Sequence, residues 1–266
     1  MRIVGLIIFI VVIASCEKII DVNIPDSDPQ IVIEGKISTD TNVYSVLVSK
    51  TVPYNSTSNS YVDNAVVSLT DDLGNTQVLN SVGNGEYQTA LFSGQVGRTY
   101  TLTVQNEGVV YSNYSSIQSP VQMDSIHTVF IPANTFPGVE EGIYPQIYYT
   151  DLVGLGDRYR MIFSRNDTVF NSADDYFLFN DVYDDGLQEV VSLFGKRFKL
   201  KPGDKVKVEL WKLDEHVYDY YQTLENIISQ GFAPTGVPDN PNSTWTNGAL
   251  GVFNAYSYSV DSLIVQ

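Results

Sequence analysis

Apolar and polar residues alternate with a period of two along much of this chain, and short Gly- and Asn-rich turns interrupt the pattern. Ile31, Ile33 and Ile37 alternate with Glu34, Lys36 and Ser38, and strand-like runs follow at 44–51, 65–70, 76–79, 86–89, 99–105 and 109–117. Successive side chains of a strand point to opposite faces, so such runs bury one face and wet the other. The turns Asp71-Asp72-Leu73-Gly74-Asn75, Gly83-Asn84-Gly85 and Asn106-Glu107-Gly108 separate them. Short strands closed by such turns predict an antiparallel sandwich of immunoglobulin-like or transthyretin-like type over 30–119. The Ser/Asn-rich stretch 53–64 reads as an exposed crossover loop.

Ser119-Pro120 marks a boundary, because proline biases the preceding residue towards extended structure. Beyond it, runs at 124–131, 146–150, 158–164, 176–182, 189–193, 205–213 and 249–259 predict a second β-sandwich-like domain over 120–266. One α-helix is inserted, at about 215–230. Asp214 is a good N-cap, and Val217, Tyr220, Tyr221, Leu224, Ile227 and Ile228 recur at three- and four-residue spacing up to Gly231. A lone helix in such a domain is expected to plug one end or cover an edge. The 18 Tyr and 12 Phe favour strands.

The N-terminus is of another kind. Arg2 precedes an apolar stretch from Ile3 to Ile13, and Ala14-Ser15-Cys16 follows. A bilayer-spanning helix needs roughly 18 or more apolar residues, so a signal peptide is the better reading. Small residues directly before a cysteine make it a lipoprotein signal over 1–15, with Cys16 acylated and the protein held to a membrane by lipid; Glu17 after the cysteine, rather than Asp, is compatible with outer-membrane sorting. A double anchor of this kind binds firmly. Residues 16–29, with several Asp plus Pro25 and Pro29, form an acidic tether.

Charge and motif content exclude several function classes. The formal net charge is −16, which argues against nucleic acid as a partner. Cys16 is the only cysteine, so disulfides cannot hold the domains. His127 and His216 stand apart, outside any His-Glu-x-x-His motif, and no nucleophile elbow, phosphate loop or dinucleotide fingerprint occurs. No catalytic residue, metal ligand or cofactor is assigned. Asp181-Val182-Tyr183-Asp184-Asp185-Gly186 invites a calcium reading but fails the EF-hand template, with Tyr183 at a ligand position and Ser192 where Glu belongs. A hairpin turn closed by Asp185-Gly186 is the plainer reading.

Two groups of residues stand out as candidate contacts. Lys196, Arg197, Lys199, Lys201, Lys205 and Lys207, with Lys212 beyond them, crowd into one stretch of an acidic chain. Lys205 and Lys207 line one face of a strand, and Phe198 and Leu200 suggest that its hairpin partner does likewise. The stripe is a candidate docking patch for an anionic partner, against the plainer alternative of lysines guarding a sheet edge. Tyr220 and Tyr221 on the helix, with Trp245 and Asn247 in a polar loop, are the candidate ligand-binding set. Aromatics beside amide side chains suit sugars and peptides, although a Trp in such a loop more often pins it to a core.

The order of motifs resembles the Bacteroidota lipoproteins of domain-of-unknown-function family 4249. The resemblance rests on Ile31-Val32-Ile33-Glu34-Gly35-Lys36-Ile37, on Asn64-Ala65-Val66-Val67-Ser68-Leu69-Thr70-Asp71 with Gly74-Asn75, on Gly85-Glu86-Tyr87 and on Gly97-Arg98-Thr99-Tyr100-Thr101-Leu102. It continues through Met123-Asp124-Ser125-Ile126, Phe179-Asn180-Asp181 with Gly186, the helix around Tyr218 and Tyr221, and Gly248-Ala249-Leu250-Gly251-Val252-Phe253. Such proteins are typically found beside TonB-dependent outer-membrane transporters. The resemblance therefore implies a non-catalytic accessory or binding subunit of a nutrient importer, and supplies no catalytic residues. A small-molecule or glycan ligand is not identified. Two alternatives remain at this point: a structural or adhesive surface protein, and a hydrolase of polysaccharide or peptide using a carboxylate pair.

Overall fold

The computed structural model describes residues 28–53, 56, 58–172, 175–183, 185–230 and 240–266. The signal, Cys16 and most of the tether lie outside the described residues. The N-terminal strands are β1 (Ile31–Ser38), β2 (Ser45–Lys50), β3 (Ser60–Tyr61), β4 (Val66–Asp71), β5 (Thr76–Val78), β6 (Asn80–Gly83), β7 (Glu86–Gln88), β8 (Thr99–Asn106) and β9 (Val109–Ser116). Then come β10 (Met123–Ile131), β11 (Gly142–Thr150), β12 (Arg158–Arg165), β13 (Thr168–Val169), β14 (Phe177–Asn180), β15 (Gln188–Ser192) and β16 (Lys205–Lys212). Helix α1 (Glu215–Gln230) precedes the last strand, β17 (Phe253–Ile264). The fold is mainly β, as the alternation predicts.

One long sheet runs β13-β12-β16-β17-β1-β2-β7-β6. Two smaller sheets pack against it. Sheet β5-β4-β8-β9 closes a first sandwich on β1 and β2, and β10-β11-β15 closes a second on β12 and β16. Alternation explains both cores. Tyr100, Leu102 and Val104 of β8 meet Ile33 and Ile37 of β1 in the first, and Tyr159, Met161 and Phe163 of β12 meet Val206, Val208 and Leu210 of β16 in the second. Fully burying such a side chain stabilises by about 1.5–3 kcal/mol.

β17 joins the two sandwiches. Its residues 253–256 pair in parallel with β1, and 257–264 pair antiparallel with β16. Phe253 and Ala255 sit in the first core together with Trp245 and Ala249, whereas Val265 belongs to the second. The expected division at Ser119–Pro120 needs correction on this point. It separates the local strand sets, but residues beyond 240 complete the first core. Gly251 makes the junction possible: it has φ +96°, and a Cβ there would lie 2.2 Å from the Ile33 carbonyl oxygen. The C-terminal strand begins later than the expected 249–259 run, because 246–248 form a 3₁₀ turn before it.

Helix α1 packs on the outer face of the long sheet, away from either sandwich interior, instead of plugging an end. Val217, Tyr218 and Tyr220 cover Trp211 and Tyr256, whose rings stack at 4.0 Å. Arg160 is buried beneath it, with its guanidinium 4.2 Å from the Tyr221 ring centroid and 4.6 Å from that of Tyr176. Such desolvated cation–π contacts are worth about 2 kcal/mol each. Asp214 caps the helix as expected: its Oδ1 accepts from the Val217 N–H at 3.2 Å. Its Oδ2 accepts from the Ser115 hydroxyl at 2.7 Å and the Ser116 N–H at 2.8 Å, fastening the helix start to β9 of the first sandwich. The expected stop at Gly231 lies outside the described residues.

This tyrosine-rich packing predicts steep alkaline unfolding. Burial pushes the hydroxyls of Tyr220, Tyr221 and Tyr256 above the ordinary tyrosine range. Burial does the same to Tyr159, reinforced by its hydrogen bonds to Asp151 and Asp157. The neutral phenol is the form the fold favours. Above pH ~10 the unfolded tyrosines lose protons that the folded ones keep, so stability present below that pH falls by about 1.4 kcal/mol per pH unit for each such residue. Tyrosinate absorbance and far-ultraviolet circular dichroism, followed together as pH rises, should show these residues ionising as the β signal collapses. Gradual ionisation with an intact β signal would contradict the packing.

Candidate functional site

Strands β11 and β12 lie in different sheets, and so do β14 and β15. The chain must therefore cross between layers twice, through the loops 151–157 and 181–187. The two crossovers are tied to each other. The Asp151 N–H donates to the Leu187 carbonyl at 2.9 Å, and the Asp181 N–H donates to that of Asp157 at 3.3 Å. Side chains repeat the exchange. Asp151 Oδ2 accepts from the Gly186 N–H at 3.2 Å, Asp181 Oδ2 from Gly156 at 2.7 Å, and Asp185 Oδ1 from Gly154 at 2.6 Å. The segment 181–186 is thus not the turn of a hairpin, because β14 pairs with β12 and β15 with β11.

Beneath the loops, Asp151, Asp157 and Asp181 each bring one carboxylate oxygen within 4.8 Å of the others. Three like charges at this spacing repel, and two of these side chains are buried. Lys212 answers them. It is buried, its Nζ forms an ion pair with Asp157, and it donates to the Tyr159 hydroxyl at 3.2 Å. The Tyr159 hydroxyl in turn bonds Asp151 and, at 2.8 Å, Asp157 Oδ2. A cleft of about 90 Å³ opens here between Tyr149, Phe179 and Glu189. The carboxylates are hard-cation donors by type. In this arrangement the lysine supplies the compensating charge, and the set acts as an electrostatic brace for the loops.

What the brace holds outward is apolar. Leu152, Val153, Leu155, Val182, Tyr183 and Leu187 are all exposed, Val153 at 91% and Tyr183 at 90%. Val153 packs against Gly186, which has φ +70°. Scattered surface hydrophobes need no explanation, but six on two loops tied to each other are a candidate for contact. The sequence reading missed this site. Its signal was the segment Asp151-Leu152-Val153-Gly154-Leu155-Gly156-Asp157, where apolar residues alternate with glycine in a stretch too short and too flexible for a strand.

The residues singled out from sequence fall elsewhere. Lys205 and Lys207 do line the outer face of β16, but Lys205 pairs with Asp167 at 3.0 Å and Lys207 with Glu209 at 2.7 Å. Lys199 reaches Glu140 at 3.4 Å, and Arg197 reaches the buried Asp175 at 2.8 Å. Lys196 and Lys201 are exposed. The stretch is not the hairpin partner of β16, whose neighbours are β12 and β17. Residues 196–198 form a 3₁₀ turn, and Phe198 and Leu200 are buried in the second core. Tyr220 and Tyr221 belong to the helix–sheet layer, whereas Trp245 is buried in the first core. Asn247 donates to the Val110 carbonyl at 2.7 Å, holding the Trp245 loop on β9. The four residues do not converge on one site. Asp184, part of the calcium reading, lies outside the described residues.

A family model described as "Domain of unknown function (DUF4249)" matches residues 17–262. The chain belongs to this family. The match begins at the residue after Cys16 and takes in both sandwiches, α1 and nearly all of β17. No curated protein matches the chain. Among solved structures, a two fibronectin type-III domain segment from chicken tenascin is similar at 14% identity over 71% of this chain and 93% of that one, with a TM-score of 0.21. The architecture of this DUF4249 member therefore rests on the strand pairing itself.

Proposed function

We propose that the protein is a lipid-anchored accessory subunit of the outer membrane that docks onto a TonB-dependent transporter and performs no chemistry of its own. One observation supports this reading: the body is a mast, and the described chain enters it at one end. The chain enters at Ile31, level with Leu250, and the long sheet then rises along β17 to Ile264 beside Lys205. The 12 residues of β17 span roughly 40 Å at the usual strand rise. A shared strand resists bending between the sandwiches, so both would move as one body on a tether from Cys16. A rigid body of this kind suits a docking subunit. The family match from residue 17 onward agrees with a mature chain that starts at Cys16.

Mild-detergent isolation of the tagged full-length chain from its native envelope tests this. A transporter barrel should be recovered with the protein, and Cys16→Ala should lose both membrane association and the barrel. Recovery of matrix or filament proteins instead would favour an adhesive role and reject the transporter reading.

A further inference from the structure

We infer that the braced loop pair is the gripping surface of the mast, and that its partner presents an apolar pocket flanked by lysine or arginine. This deepens the docking reading above and rests on it for the identity of the partner. Three occupants could cover six exposed apolar side chains: a bilayer, a second copy of the chain, or another protein. Charge decides among them. The exposed Asp185 and the half-buried Glu189 flank the loops, and Asp124 accepts from Gln188 beside them at 3.0 Å, on a chain of net charge −16; Asp157 is already paired with Lys212. The half-buried Arg158 is matched by Glu215 at 2.9 Å and donates to the Gly156 carbonyl at 2.8 Å.

A second copy would set acid against acid across the contact, which costs association energy. A bilayer fits no better. Carboxylates beside the loops would be repelled by anionic headgroups. A protein with an apolar pocket and a basic rim suits both the apolar side chains and the acids. Tyr183 and Val153 would fill the pocket as anchors, and the acidic rim would set register and speed encounter.

The test places a photo-crosslinking phenylalanine analogue at Val153, at Tyr183 and, as control, at Leu73, an exposed turn residue of the first sandwich. Illumination of the native envelope is followed by mapping of the crosslinked peptides. The double variant Val153→Ser/Tyr183→Ser is isolated in parallel, with thermal unfolding as the folding control. The expected result is a crosslink from both loop positions, and not from Leu73, to a transporter segment bearing apolar residues flanked by lysine or arginine. Transporter recovery should fall at least tenfold in the double variant with unchanged unfolding. Crosslinks to lipid or to a second copy overturn the inference. Equal transporter recovery by the double variant also overturns it, and leaves the docking reading standing. If no transporter is recovered with either protein, the docking reading fails, and the mapped crosslinks decide the inference alone. A basic-rimmed apolar pocket on another protein then upholds it, and any other crosslink, or none, overturns it.

Discussion

A chain ending at Gly251 is expected to unfold in both sandwiches, not only in the second. The loss removes the ladder to β1, the ladder to β16, and Phe253 and Ala255 from the first core. Phe253 is fully buried. Its truncation alone, Phe253→Ala, should cost about 3–5 kcal/mol, a large share of the 5–15 kcal/mol that holds an ordinary domain together. The isolated segment 30–119 should fail for the same reason. It would expose the unpaired edge of β1 and leave the places of Trp245 and Phe253 open to water. Circular dichroism and amide spectra of the truncated chains provide the measurement. Well-dispersed β-type amide signals from either fragment would show that the first sandwich closes without the C-terminal strand. In the full chain, Phe253→Ala should lower a single cooperative transition, because a residue in the shared strand destabilises the joint as well as the core.

Local order was legible in the sequence, and long-range order was not. Alternation located β1, β2, β4, β8, β9, β10, β12 and β16, and Asp214 with the tyrosine spacing located the helix. Those signals arise within a few residues of each other. The parallel pairing of β1 with β17 joins residues more than 200 positions apart, and no local pattern encodes a partner at that distance. Ser119-Pro120 misled for a related reason: it marks a real break in the strand pattern, while the cores are assigned by packing. Lys196–Leu200 misled differently. Phe198 and Leu200 keep a period of two, but Gly195 at φ +110° turns the chain into a 3₁₀ turn and carries it away from β16. Lys212 was legible but was grouped with the basic stripe. It shares the alternating face of Val206, Val208 and Leu210, all buried, so the period alone puts a lysine inside the second core. The loop site escaped because its parts come from two segments that only the crossover between sheets brings together.

The buried lysine carries the last large effect. Lys212 is 4% exposed, ion-paired with Asp157, hydrogen-bonded to Tyr159 and 4.5 Å from the centroid of that ring. Lys212→Met keeps most of the volume and removes the charge. It leaves Asp151, Asp157 and Asp181 facing one another with no cation, and stranding one side of a buried pair typically costs about 3–5 kcal/mol. The loss should not spread evenly. Amide exchange ought to accelerate first in 151–157 and 181–187, whose cross-loop bonds depend on carboxylates held at close range. Adding Asp157→Asn should recover part of the loss, since the partner charge is then gone as well. A double-mutant cycle measures that coupling directly. Equal exchange in all loops, or a cost for Lys212→Met below about 1 kcal/mol, a value ordinary for exposed pairs, would mean that the lysine is solvated and the loops hold themselves. If the brace is as described, the same variant should also weaken crosslinking from Val153, because a loosened loop no longer presents its apolar side chains in one fixed arrangement.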